Sequence, residues 1–287
     1  MREDFCMVDD LRAATPDEYW ARFDAMMGAD GLLTYRYLGR RTVALHDVDH
    51  DSMRIRRDMR NAVGGLMAAP LAIATAESGG FTDIESIPAP ITAGLHIVDD
   101  GRDVREILIR RTFVHMGKTM GFTQSEAVDA ANPSRLIAIS HGTGVKLADA
   151  PGGFKPVEPG PEIDDAPDLP PLHAVFGGKR RAEGIWELPT LGGSIASTSG
   201  SLHIGPIHII LEAAATELAA GGAKTQALQI EDWNVSFVAR GTHGPFVADG
   251  MATAAGSGRI AVRLTLRDEG RQGRVIASAV AIFRPAV

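Results

Sequence analysis

The chain has 287 residues, 45% of them hydrophobic and 23% charged, and a formal net charge of −7. That length and balance fit one large or two ordinary globular domains. An acidic chain whose densest basic cluster is Lys179-Arg180-Arg181 argues against a nucleic-acid partner. A single cysteine, Cys6, leaves no internal disulfide framework and fits a reducing compartment. The N-terminus is acidic without an apolar signal core, and no apolar run reaches the length of about 18 residues that marks a spanning helix. A cytoplasmic protein with no membrane partner is expected.

In chain order, TPDEYWARFDAMMGADG opens on Thr15 as a cap and Pro16 at the first helical position, which predicts a short amphipathic helix in an N-terminal extension, 1–29. NAVGGLMAAPLAIATAES (61–78) is a helical candidate opened by glycine. Pro70 removes an amide there and must kink the helix or shift its start. Alternating patterns then predict strands across FVHMGKTMGFTQSEAVDAANPSRLIA (113–138). DAPGGFKPVEPGPEIDDAPDLPP (149–171) is too rich in Pro, Gly and Asp to build a core, so 149–189 is expected as a linker or wrapping segment. SLHIGPIHIILEAAATEL (201–218) is the second helical candidate. At the C-terminal end RIAVRLTLRDEG and GRVIASAVAIF should pair as an antiparallel hairpin.

The chain repeats itself. Residues 113–138 lie without a gap over FVARGTHGPFVADGMATAAGSGRIAV (237–262), with Phe113 on Phe237, Gly117 on Gly241, Phe122 on Phe246 and Arg135 on Arg259. This is a constant offset of 124 residues (237 less 113). Matching Gly65 to Gly205 relates the helices by 140 residues (205 less 65). Each copy reads as one helix followed by an antiparallel meander, an α+β arrangement in which the helix covers one face of the sheet. The expected units are 30–148 and 190–287.

Glu212 stands out within the second helix. Ile207, Ile209, Ile210, Leu211 and Ala213 surround it, so little polar face remains at its level. His203, Gly205 and Pro206 precede it at the helix start, and Thr216 follows one turn later. A solvated glutamate and a merely capping His203 are the plain alternatives. His208 reads as structural, and Asn61 as a turn former that could also place a water or a substrate carbonyl. His115 and His141 show no metal-ligand spacing. Gly152-Gly153 and Gly177-Gly178 lack the strand–helix setting of a phosphate loop. With no Gly-x-Ser-x-Gly elbow, a serine hydrolase is disfavoured.

One helix with an antiparallel meander, twice over, resembles a tandem (double) hotdog: two central helices, each wrapped by a curved antiparallel sheet. The helix motif resembles that of the acyl-CoA thioesterases of the phenylacetyl-CoA and hydroxybenzoyl-CoA type. In that family a His-Gly-Gly opens the helix and an acid follows the His by nine residues, the place held here by Glu212 after His203. Thr216 stands where the hydroxybenzoyl-CoA group has a threonine. The copies depart from the pattern in complementary ways: Ile204 replaces a glycine in the second, while the first keeps Gly64 and Gly65 but has Val63, Ala72 and Ala76 at the His, acid and Thr positions.

The resemblance implies hydrolysis of an acyl-CoA thioester. That chemistry needs a carboxylate to attack or to activate water, and a donor for the developing oxyanion. The unpaired amides and positive dipole end of a helix N-terminus supply the donor, and glycine permits close approach. Glu212 is expected to reach across to the Gly64 and Gly65 amides of the first helix, with Thr216 holding the carboxylate or the water. Asn61, His203, Gly205, Arg110, Arg111 and Lys118 are candidates for substrate binding, the last three for the coenzyme phosphates. The converse pairing, His203 and Gly205 with Ala72, would be a relic. No cofactor or metal is required, and a homo-oligomer is expected. The competing readings are a non-catalytic acyl-CoA binding protein and a hotdog enoyl-CoA hydratase, whose Asp–His motif is not found.

Overall fold

The computed structural model describes residues 15–28, 31–38, 51–75, 79–81, 85–153 and 163–286. Cys6 and Ala76 lie outside them. The first element, α1 (Pro16–Met27), begins as expected: Glu18 N–H donates to Thr15 Oγ1 while Glu18 Oε2 accepts from Thr15 N–H, a reciprocal cap. Its buried stripe, Tyr19, Phe23 and Met26, follows the helical period. Tyr19 Oη and Trp20 Nε1 donate to the carbonyls of Ser86 and Gly152. A six-residue helix, α2 (Leu33–Leu38), follows.

The strands are β1 (Asp51–Arg54), β2 (Ser86–Ile97), β3 (Glu106–Met116), β4 (Met120–Asp129), β5 (Asn132–Asp149), β6 (Lys179–Ala182), β7 (Ile185–Leu188), β8 (Leu228–Phe237), β9 (Phe246–Ala254), β10 (Ile260–Asp268) and β11 (Arg274–Pro285). They form one antiparallel sheet in the order β1-β3-β4-β5-β2-β8-β11-β10-β9-β7-β6. β2 and β8 meet at the centre, from Thr92 opposite Ser236 to His96 opposite Asp232. Outward from that seam the ranks match: β5, β4, β3 and β1 on one side, β11, β10, β9 and β7 on the other. The C-terminal hairpin, β10 with β11, pairs as the sequence implied.

Two buried helices, α3 (Ala68–Thr75) and α5 (Ile204–Ala223), pack together and against this sheet, which gives an α+β fold. All eight residues of α3 are buried. Pro70 sits in its first turn, where the missing amide has no intrahelical partner to lose, so the proline sets the helix start. The inner sheet face contributes alternate apolar residues such as Leu95, Ile107, Trp233, Val262 and Leu264.

The matched ranks correct the correspondence read from sequence. β2 answers to β8, β3 to β9, β4 to β10 and β5 to β11, so laying Phe122 of β4 on Phe246 of β9 is one strand out of step. The backbone bonds agree. Val98 and Asp99 N–H both donate to Ile137 O, as Val238 and Ala239 do to Ile276 O. At the helix starts, the bridge between Arg60 and Leu66 is repeated between Ala196 and Leu202, an offset of 136 (202 less 66). Gly64 therefore matches Gly200, and both take left-handed φ, 82° and 67°. Gly65 matches Ser201, not Gly205. Ala72 matches His208, and Glu212 falls on position 76.

The stretch expected as a linker does more than connect. Asp165 Oδ1 accepts from Arg57 N–H, and Leu172 and Phe176 are buried around a short helix, α4 (Leu172–Val175), packed on α5. β6 and β7 then extend the sheet, β7 pairing with β9.

Candidate active site

α5 carries Glu212 into the contact with α3, where it is 2% exposed. Its Oε1 accepts from Ala68 N–H at 2.8 Å and its Oε2 from Ala69 N–H at 2.7 Å. These are first-turn amides of the other half's helix, unpaired by the helix itself and lying at the positive end of its dipole. Burial pushes the carboxyl up to about 7, and the Ala69 and Ala68 N–H bonds pull the other way. The residue is not solvated. The expected crossing is there, with its landing point moved four residues along the chain, from Gly64 and Gly65 to Ala68 and Ala69.

Gly64 and Gly65 do not receive it. Gly64 N–H donates to Asn61 O at 3.0 Å, and Gly65 N–H to Asn61 Oδ1 at 3.0 Å. Asn61 Oδ1 also accepts from Val63 N–H, so this side chain shapes the loop into the helix, the turn role typical of asparagine. Its Nδ2 donates to Gln229 Oε1, and Gln229 Nε2 donates to Leu66 O at 3.0 Å. The start of α3 is thus gripped from the second half twice, by Glu212 and by the buried Gln229. A Cβ on Gly65 would sit 2.1 Å from Gln229 Oε1, which explains that glycine without a substrate. Gln229 escapes sequence reading because a lone glutamine in a strand carries no spacing signal.

The opposite helix start is filled differently. His203 caps α5, its Nδ1 accepting from Gly205 N–H at 3.2 Å and lying 3.2 Å from Thr34 Oγ1. Thr34 belongs to α2 and is fully buried. A Cβ on Gly205 would stand 2.1 Å from its hydroxyl. The glycine makes room for Thr34, and Tyr35 sets its ring edge-on to His203 at 5.5 Å.

Further along α5, His208 is completely buried. Trp233 Nε1 donates to its Nδ1 at 2.9 Å, so the neutral ring carries its proton on Nε2. That Nε2 has no hydrogen-bond partner among the described residues, and burial drives the imidazole down to about 3. Thr216 is half-buried one turn after Glu212, and no hydrogen bond joins it to the carboxylate.

The three candidate phosphate contacts do not gather. Successive strand residues face opposite ways. Arg110 is exposed on the outer face, whereas the Arg111 side chain is 2% exposed, ion-paired with buried Asp51 and donating to Ala74 O at 2.9 Å. Arg111 neutralises an internal acid and caps the negative end of α3. Lys118 is exposed in the β3–β4 turn. None bonds to the residues around Glu212.

No protein-family model matches the chain, and no curated protein does. Solved structures do. A tesB protein of Mycobacterium avium subsp. paratuberculosis superposes with a TM-score of 0.58 at 11% identity, covering 84% of this chain and 94% of that one. The acyl-CoA thioesterase II TesB2 of Mycobacterium marinum gives 0.53 at 13% identity over the same shares, 84% and 94%. A protein of unknown function with a hot dog fold from Alicyclobacillus acidocaldarius gives 0.52 at 10% identity, again over 84% and 94%. The chain has the hotdog fold. The solved structures that share this fold with it include thioesterases.

Proposed function

We propose that the chain is a double hotdog of two units, 30–148 and a second that takes in β6 and β7 ahead of 190–287, and that it hydrolyses an acyl-CoA thioester with Glu212 as general base. The observation that carries this reading is the buried carboxylate of α5 seated on the first-turn amides of α3. Two N–H donors keep it oriented, and a carboxyl near 7 can both take and return a proton close to neutral pH. A water gives its proton to Glu212 and its oxygen to the thioester carbonyl carbon. The C–S bond then breaks, and the sulfur leaves with the proton from Glu212 as the coenzyme thiol, the acyl group as a carboxylic acid.

The oxyanion donor is not Gly64 or Gly65, whose amides Asn61 holds. Among the buried groups on α5, His208 Nε2–H stands one helical turn before Glu212 on the same face and has no partner among the described residues. It takes that role in this reading. A neutral imidazole donates without bringing a charge into the core. A homo-oligomer in the cytoplasm remains part of the proposal. Free-thiol release from short, long and aromatic acyl-CoAs should fall about 10²–10⁴-fold in Glu212→Ala. Undiminished release sinks the assignment. The second reading, an acyl-CoA binding protein without turnover, is favoured by one fact: Glu212 already fills the amides an incoming oxyanion would use. Ligand binding with no thiol release across the same panel selects it.

A further inference from the structure

Every backbone N–H from Val63 to Ala69 has an acceptor inside the protein. Val63 and Gly65 donate to Asn61 Oδ1, Gly64 to Asn61 O, Leu66 to Asp100 O at 2.8 Å and Met67 to Met59 O at 3.0 Å. Ala68 and Ala69 donate to Glu212. The segment is tied to its own half along most of its length, and the second half adds two side chains. Glu212 is one. Gln229 of β8 is the other: 1% exposed, it accepts from Asn61 Nδ2 and donates to Leu66 O, two residues before the first amide that Glu212 takes.

The opposite helix start supplies the comparison. Pairing across the seam is symmetric about Gly94 opposite Asn234, so a β2 residue answers to the β8 residue 140 further on (234 less 94). The bulges agree: the register of β2 with β5 slips at Ile91, and that of β8 with β11 slips at Glu231. Gln229 therefore answers to Ala89, whose side chain has nothing to bond with, and Glu212 answers to position 76, also an alanine. Gly65, which leaves room for Gln229 Oε1, answers to Ser201. The acid, the glutamine and the glycine thus occur together at one helix start and are all missing at the other. There α5 still begins, and it runs for 20 residues. A helix start of this fold does not need the glutamine; the start that receives the acid has it.

We propose that Gln229 is a positioning residue for the hydrolysis: it fixes the loop that presents the Ala68 and Ala69 amides, and so holds the Glu212 carboxylate where it takes a proton from water. This inference rests on the function proposed above. Gln229 acts through the backbone. The two amides favour the charged carboxylate against the burial that opposes it. A loosened cradle leaves burial less opposed, so the carboxyl keeps its proton to higher pH and is a poorer base near neutrality. His208, on the same helix, stays neutral there, and α3 carries no titratable side chain.

The test follows thiol release from acyl-CoAs across pH with the full chain, and the Glu212 carboxyl by carbon-13 NMR, assigned with Glu212→Gln. Gln229→Met keeps the length of the side chain and removes both bonds. It should lower kcat near neutral pH by roughly 10–100-fold with KM within about twofold. The midpoints of the kcat profile and of the Glu212 titration should move to higher pH together. Gly65→Ala sets a methyl against Gln229 Oε1 from the loop side and should move both midpoints the same way. Phe23→Leu, in the separate apolar cluster of α1, should lower stability and move neither. Wild type that turns over while Gln229→Met and Gly65→Ala leave the Glu212 midpoint in place overturns this proposal alone. So does a loss of kcat that Phe23→Leu matches, which is loss of fold. Wild type that releases no thiol from any acyl-CoA overturns the hydrolysis, and this role with it.

Discussion

Replacing Glu212 by glutamine, a neutral group of the same shape, isolates the ionisation of this carboxyl. Burial raises it from an ordinary 4.5 to about 7 in the folded chain. At about 1.36 kcal/mol per unit, the difference corresponds to about 3 kcal/mol of stability. The sign follows from proton counting. Between those two values the folded state keeps a proton that the unfolded chain has released. The protonated carboxyl's contribution is therefore complete below pH 4.5 and is lost as pH rises through about 7. The glutamine variant cannot ionise, and every other titrating group is common to both proteins. Urea unfolding of the pair, followed from pH 4.5 to well above 7, should show the wild type losing about 3 kcal/mol relative to the variant. A flat difference over that range would mean that the carboxyl titrates as an exposed one does. It would also remove the proton-transfer role proposed for Glu212.

His208 should act in the opposite direction: its folded value falls from 6.5 to about 3, so its contribution is whole above 6.5 and lost as pH drops toward 3. That is about 5 kcal/mol at most, and His208→Phe should shift the acid unfolding midpoint to lower pH. Trp233→Phe removes the donor to His208 Nδ1 and should cost about 1–3 kcal/mol in a urea titration, with His208→Phe in the same chain giving less than the sum. Gly205→Ala forces a methyl against Thr34 and should cost about 1–3 kcal/mol, part of it recovered by Thr34→Ala. Asp51→Asn strands the buried Arg111 and should cost about 3–5 kcal/mol, whereas Asp51→Leu with Arg111→Met should restore most of it.

Much of this fold was legible in the residues. The Thr15 cap with Pro16, the C-terminal hairpin and the apolar helix around Glu212 follow from local rules, and all stand in the structure. The matching strand ranks on either side of the β2–β8 seam accord with the repeat read from sequence, but not with its register. Antiparallel strands share a period of two, so a strand lies as well over its equivalent's neighbour as over its equivalent, and only pairing within the sheet separates the two. The helix starts misled for a related reason. Gly65 and Gly205 are the same residue for different purposes, one clearing Gln229 and the other Thr34. Arg110 and Arg111 looked like a phosphate pair because they are adjacent, which on a strand is the spacing that sends them apart. That Glu212 would cross to the other half came from the family resemblance. That it would meet Ala68 and Ala69 depends on where Pro70 lets the helix begin.

The β2–β8 seam has a consequence for how such a molecule can change. When two identical chains meet across a seam, every substitution is made twice, and whatever improves one pole is imposed on the other. Here both poles are written in one polypeptide. One has been closed by an acid from the facing helix and the other by a threonine from a short upstream segment, and neither solution had to suit both places.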